Sequence, residues 1–169
     1  MFISSDTNIW LDFENIGHLD HPFYLEHEYY ISNITYHDEL YKSKLINNII
    51  KKKHLKITNL TIEEMNIANR LSNTYNKISF QDSLALAIAI NRNWILLTGD
   101  NALRNAAKLE GIENHGTIWL YDELYLKKKL SKKEMLDVMK KLLKASENGR
   151  RLPKEEILKR IINLQNIQV

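Results

Sequence analysis

The sequence predicts an α/β fold with a mostly parallel sheet, and three observations lead to that class. Strand-like runs alternate with helical ones through most of the 169 residues. WILLTG at 94–99 is apolar almost throughout, the pattern of a strand covered on both faces. The preceding helical segment, DSLALAIAINRN, is apolar nearly all round and so belongs between layers.

Residues 2–5 read as a short strand, and 8–16 as a helix that Gly17 stops. HLDHPFYLEH, which follows, reads as loop or broken helix. YYISNI (29–34) is rich in β-formers, and the pattern from Tyr36 to Lys53 turns helical. HLKITNL (54–60) alternates like a strand. Thr61 with Glu64 makes a capping box for a helix reaching about Asn73, and Ser79 with Asp82 makes a second. After WILLTG a helix is expected from about Asn101 to Glu110, stopped by Gly111, with TIWL (117–120) as one more strand. The remainder reads as helices. Ser131 and Glu134 form another capping box, Asn148–Gly149 is a stop, and Pro153 suits a first helical turn.

Composition narrows the chemistry. There is no cysteine, which removes disulfides, thiolate nucleophiles and cysteine-based zinc sites. The N-terminus lacks a basic segment followed by a long apolar one, and no apolar run approaches the ~18–20 residues needed to cross a bilayer. A soluble cytoplasmic protein with no membrane contact is expected. Charge is uneven. Residues 1–126 carry 11 Lys and Arg against 16 Asp and Glu, whereas residues 127–169 carry 13 against 5. An acidic body joined to a basic tail hints at nucleic-acid contact, although on charge alone a solvated helical face is the preferred reading of the tail.

The acids carry the chemistry. In a parallel sheet, function gathers beyond the carboxyl ends of the strands. Asp6 follows the first strand, Asp100 follows WILLTG, Asp82 opens the buried helix, and Glu39 lies in the first turns after YYISNI. Each has a structural explanation as well. Asp6, Asp82 and Asp100 all stand where a helix cap is wanted, and Glu39 could be a surface residue with Asp38 as its rival. Brought to one edge, four carboxylates would need a cation among them, and a hard one such as Mg²⁺ or Mn²⁺ suits oxygen ligands.

Other chemistries are set aside. His18, His21 and His27 could hold zinc, but their loop is irregular, and ordinary solvent-facing histidines are expected. Ser4 and Ser5 lack a Gly-x-Ser-x-Gly elbow, and no Gly-rich phosphate loop exists. Phosphoaspartyl and receiver-type sites need a second acid close to Asp6, which Asp-Thr-Asn does not supply.

DTNIW after an apolar run, Asp-Glu-Leu at 38–40, SFQDSLALAIAINRNWILLTGDNALRNAA (79–107) and HGTIWLYDEL (115–124) together resemble a PIN-domain nuclease over roughly residues 1–126. NGRRLPKEEI (148–157) is similar to the extension of a PIN subgroup associated with toxin–antitoxin loci. The resemblance implies a parallel sheet flanked by helices, Mg²⁺ or Mn²⁺ held by clustered acids, an RNA substrate and, as in VapC-like toxins, an inhibiting antitoxin. It matches Asp6, Glu39, Asp82 and Asp100 to the acidic positions, and Asn8 and Thr98 to the polar residues supporting them. The expected organisation is a nuclease domain at 1–126 with a basic helical extension at 127–169 packed on or beside it, possible also as a homodimer. Lys127, Lys128, Lys129, Lys132 and Lys133, with Arg150 and Arg151, are candidates for RNA phosphate contact. The rival reading is a binding module on the same fold that acts through its tail on a protein or nucleic acid. Residues 17–28 match nothing in the family pattern.

Overall fold

Five short parallel strands meet in the order β3-β2-β1-β4-β5 in the computed structural model, which describes residues 1–149 and 152–166. They are β1 (Phe2–Ser5), β2 (Glu28–Ser32), β3 (Leu55–Thr58), β4 (Ile95–Leu97) and β5 (Asn114–His115). The central strand β1 has Ile3 opposite Tyr29 on one side and Ile95 on the other. The chain winds outward from β1 through β2 to β3, then returns to β4 and β5 on the other side. The winding direction therefore reverses between β1 and β4, the point in an open α/β sheet where ligands bind.

Nine α-helices occur among the described residues. They are α1 (Thr7–Asn15), α2 (Asn33–Thr35), α3 (Lys44–Lys51), α4 (Ile62–Thr74), α5 (Phe80–Arg92), α6 (Asn101–Leu109), α7 (Thr117–Leu126), α8 (Lys132–Glu147) and α9 (Lys154–Asn166). Alternation along the strands divides them into two layers. Leu96 packs with α4, α5 and α6, on which Ala68, Leu84, Ala87 and Leu103 are buried. Its neighbour Leu97 packs on the opposite face with residues of α1, α3, α7, α8 and α9, among them Trp10, Leu120, Met139 and Ile161. The helices beyond residue 126 thus share a core with the first strand. Among the described residues no helix is long and apolar enough to cross a membrane.

Three expectations need correction. TIWL is not a strand but the first turn of α7, and the edge strand is the polar pair just before it. Thr117 donates to the buried Asp12 at 3.1 Å, which fixes the start of this helix, while a short apolar run alone suits either element. The helical stretch expected over 36–53 is broken. Residues Tyr36–Leu40 form a π turn, and Ser43 then caps α3 by accepting from the Ile46 amide. The strand in YYISNI stops at Ser32, whose hydroxyl accepts from the Thr35 amide and opens α2. The three predicted capping boxes are all present.

Candidate active site

Asp6 is the residue at which β1 becomes α1. Its amide donates to the Leu97 carbonyl at 3.1 Å, which ties it to the neighbouring strand. Its extended backbone makes it the N-cap, and Oδ1 accepts from the Asn8 amide at 2.6 Å and the Ile9 amide at 3.3 Å. Oδ2 accepts from the Thr98 hydroxyl. Asp6 is only 3% exposed, although it borders solvent at a cleft. Capping engages the carboxylate without using all its lone pairs, so the same group can cap and still offer an oxygen to a ligand.

The cleft, of about 250 Å³, is lined by Asp6, Thr7, Asn8, Thr35, Glu39, Gln81 and Asp82, among others. Each acid comes from a different element. Asp82 is the third residue of α5, where its Oδ2 accepts from the Ser79 amide at 2.9 Å. Glu39 lies on the exposed π turn after β2 and accepts from the Thr7 hydroxyl. Asp38 is not among the lining residues, but it accepts at 3.1 Å from Gln81, which is. Three of the four predicted acids thus share one cavity.

Asp100 does not line it. It caps α6, accepting from the Leu103 amide at 2.9 Å, and its own amide donates to the Thr98 hydroxyl at 3.0 Å. Since Thr98 in turn donates to Asp6, the fourth acid joins the site through this buried threonine at the same sheet edge. The N-termini of α1, α5 and α6 all converge here, so their partial positive charge offsets some of the repulsion among the acids.

That offset is incomplete. Burial pushes the Asp6 carboxyl up to about 7, and the charge of Asp82 adds to the rise against the opposing bonds from Thr98, Asn8 and Ile9. Among the described residues no Lys or Arg pairs with Asp6. The donor set is oxygen only, which suits a hard cation. Among the described residues only His18, Asp20 and His21 bring three potential ligand atoms within 4.8 Å of one another. The cleft carboxylates stand wider apart than this.

The basic run lies elsewhere. Lys127 pairs with Glu123 at 2.9 Å, and its charge, like that of the Met1 amino group, bears on His27 just before β2. The lysine end of α7 is therefore at the amino ends of the strands, whereas the acids are at the carboxyl ends. Lys128 and Lys129 form the turn that follows, and Lys132 and Lys133 open α8. Arg150 and Arg151 lie outside the described residues.

Two residues the sequence reading did not single out stand near the acids. Arg104, one turn along α6 from Asp100, reaches Asn114 at 3.3 Å and lines a second cavity with Gly99, Gly116 and Thr117. Asp12 is buried beneath Gly99, where a Cβ would meet its Oδ2 at 3.8 Å. Their sequence signal was weak, since both look like ordinary residues of amphipathic helices.

A family profile described as a PIN domain matches residues 2–166. The chain belongs to the PIN-domain family. The match takes in α8 and α9 as well as the sheet. PIN domains are generally nucleases, and the acidic cleft lies beyond the carboxyl end of β1, on the side of an open α/β sheet where sites gather. Comparison with curated proteins gave no significant match.

Proposed function

We propose that this PIN domain is a Mg²⁺- or Mn²⁺-dependent ribonuclease, and that it serves as the toxin of a toxin–antitoxin pair. The observation that carries the enzymatic part is Asp6, a buried carboxylate with no cationic partner among the described residues, sharing a cleft with Glu39 and Asp82. Asp6 and Asp82 would hold the cation from backbone-anchored positions, and Glu39 would complete the oxygen set from the far wall. Thr98 and Thr7 hold two of these carboxylates in orientation through their hydroxyls. Asn8 stands at the cleft rim, and the Asp100 amide helps fix the Thr98 hydroxyl that donates to Asp6. When bound, the cation would acidify a water and neutralise charge developing on the phosphodiester.

The toxin role rests on the likeness of NGRRLPKEEI to the toxin-associated extension and on a family match that runs through it. It implies an antitoxin that shields the cleft. The test has two arms. Purified protein should cleave single-stranded RNA with Mn²⁺ or Mg²⁺, and cleavage should stop in excess EDTA. Expression should arrest growth, and an adjacent small reading frame should relieve the arrest. Cleavage undiminished by EDTA would sink the metal reading, and unimpeded growth with an active enzyme would sink the toxin reading.

A further inference from the structure

Outside the acid cleft, one group of side chains has the composition of a different metal site. His18, Asp20 and His21 present one ligand atom each, all within 4.8 Å of one another. These histidines are not the solvent-facing residues their loop predicted. His21 is 7% exposed, and its ring stacks on that of His18 with centroids 4.1 Å apart. The loop holding them is fixed by its own hydrogen bonds. The His18 amide donates to the Phe13 carbonyl at 2.9 Å, and the His21 amide to the His18 carbonyl at 3.2 Å.

Each prospective ligand already has a supporting partner. The His21 Nδ1 is 3.3 Å from the Tyr121 hydroxyl, which leaves Nε2 for a cation. The Asp20 carboxylate accepts from Tyr24. The His18 Nε2 accepts from the Lys141 ammonium of α8 at 2.8 Å, so this nitrogen presents its lone pair and the lysine gives way when a metal takes it. Lys141 also pairs with Asp137 at 2.9 Å and keeps that partner if it yields His18. The cavity beside the two histidines is lined by Lys133, Glu134 and Asp137 of α8. Such oriented ligands with hydrogen-bonded outer partners are how protein metal sites are built.

We infer that His18, Asp20 and His21 form a second cation site in the loop after α1, facing α8 and selective for borderline ions such as Zn²⁺. Two imidazoles and one carboxylate are a Zn²⁺ ligand set with a position left over for water or for Glu134, and they suit Mg²⁺ poorly. The site is separate from the acid cleft and does not depend on the nuclease reading.

The test uses the full chain, free of any affinity tag and stripped of metal, titrated with Co²⁺ as a spectroscopic stand-in for Zn²⁺. One equivalent of Co²⁺ should give the strong visible absorption of a four-coordinate site. Zn²⁺ should abolish the band, and excess Mg²⁺ should leave it intact. Asp6→Asn should leave it unchanged. His18→Gln and Asp20→Asn, at positions that are not fully buried, should each weaken binding at least as much as the 10–100-fold typical of losing an outer partner. Zn²⁺ should raise the melting temperature of the parent and of Asp6→Asn, and raise that of these two variants far less. The inference is overturned if no such band forms, if Mg²⁺ removes it, or if both variants bind Co²⁺ like the parent.

Discussion

Two buried acids in this protein are held in opposite ways. Glu64 is 0% exposed, and burial alone would raise its carboxyl. Hydrogen bonds from Arg92, the Thr61 amide and Asn91, together with the Arg92 charge, more than reverse this and hold it below the usual range. Arg92 reaches it at 2.6 Å through Nε and at 3.0 Å through Nη2, while Nη1 donates to Thr58. That acid locks α4 to α5. Asp6 is buried almost as deeply, yet its partners are two amides and a hydroxyl, and its carboxyl stands at about 7. A buried carboxylate supplied with a guanidinium is complete. One left without a cation beside another acid is stable as an anion only when something from outside completes it.

The sharpest test of this contrast is Asp6→Asn. Asn caps a helix about as well as Asp, so the fold should persist. Cleavage with Mn²⁺ should fall by about 10²–10³-fold, corresponding to several kcal/mol of lost charge stabilisation. Single-turnover rates beside a thermal melt of the metal-free protein measure both, and near-parental cleavage would reduce Asp6 to a cap.

At the other acid the effect should fall on stability. Arg92→Leu strands the Glu64 charge. The cost should be about 2–3 kcal/mol, below the usual figure for a fully buried pair because Arg92 is partly exposed. Cleavage per folded molecule should be unchanged. Urea unfolding should also show that Glu64→Gln combined with Arg92→Leu recovers part of the loss. Equal damage to activity at native conditions would mean the two regions are not separable.

The pH dependence should differ too. Between about 4 and about 7 the folded chain retains a proton on Asp6 that the unfolded chain has released. Asp6 therefore makes metal-free stability fall as pH rises through this window, with a slope approaching 1.4 kcal/mol per pH unit, and has no effect below it. Glu64, with its carboxyl lowered, acts in the opposite sense, its contribution being lost as pH falls through its folded value. Asp6→Asn should remove the downward slope in a melt series. It should likewise remove most of the Mn²⁺-induced stabilisation, which in the parent should weaken below pH 7 as protons compete.

The smallest effect should come from the lysines. Reversing Lys127, Lys128 and Lys129 should change single-turnover cleavage of a short RNA less than about twofold, because the run lies at the strand ends opposite the cleft. A steep loss, with a flatter salt dependence, would place RNA across both ends of the sheet.

Much of this was readable in advance for local reasons. Asp6, Asp82 and Asp100 stand at helix starts, where capping patterns and strand ends are visible within a few residues. The two-residue strand Asn114–His115 was not readable, because it is too short and too polar to carry a period. TIWL was misread because four apolar residues fit either element, and only a hydrogen bond to Asp12, 105 positions away, decides. The same distance problem hid the Glu64–Arg92 clamp and the approach of Lys141 to His18. Glu39 and Asp38 could not be told apart in the sequence because they are adjacent; only the π turn shows Glu39 lining the cleft and Asp38 bonded to Gln81 at its wall.

Asp6 is bonded into the sheet through its amide and into α1 and β4 through its carboxylate, so it cannot shift unless those elements part. The amide proton of Asp6, bonded to Leu97, should accordingly exchange only through opening of the sheet itself. Glu39 has no such anchoring. It is exposed and held across the cleft by Thr7, on a turn whose geometry is already a departure from the α-helix. If the site holds a cation as proposed, Asp6 supplies fixed oxygens, and accommodation of ions of different radius falls to Glu39 on the turn at residues 36–40.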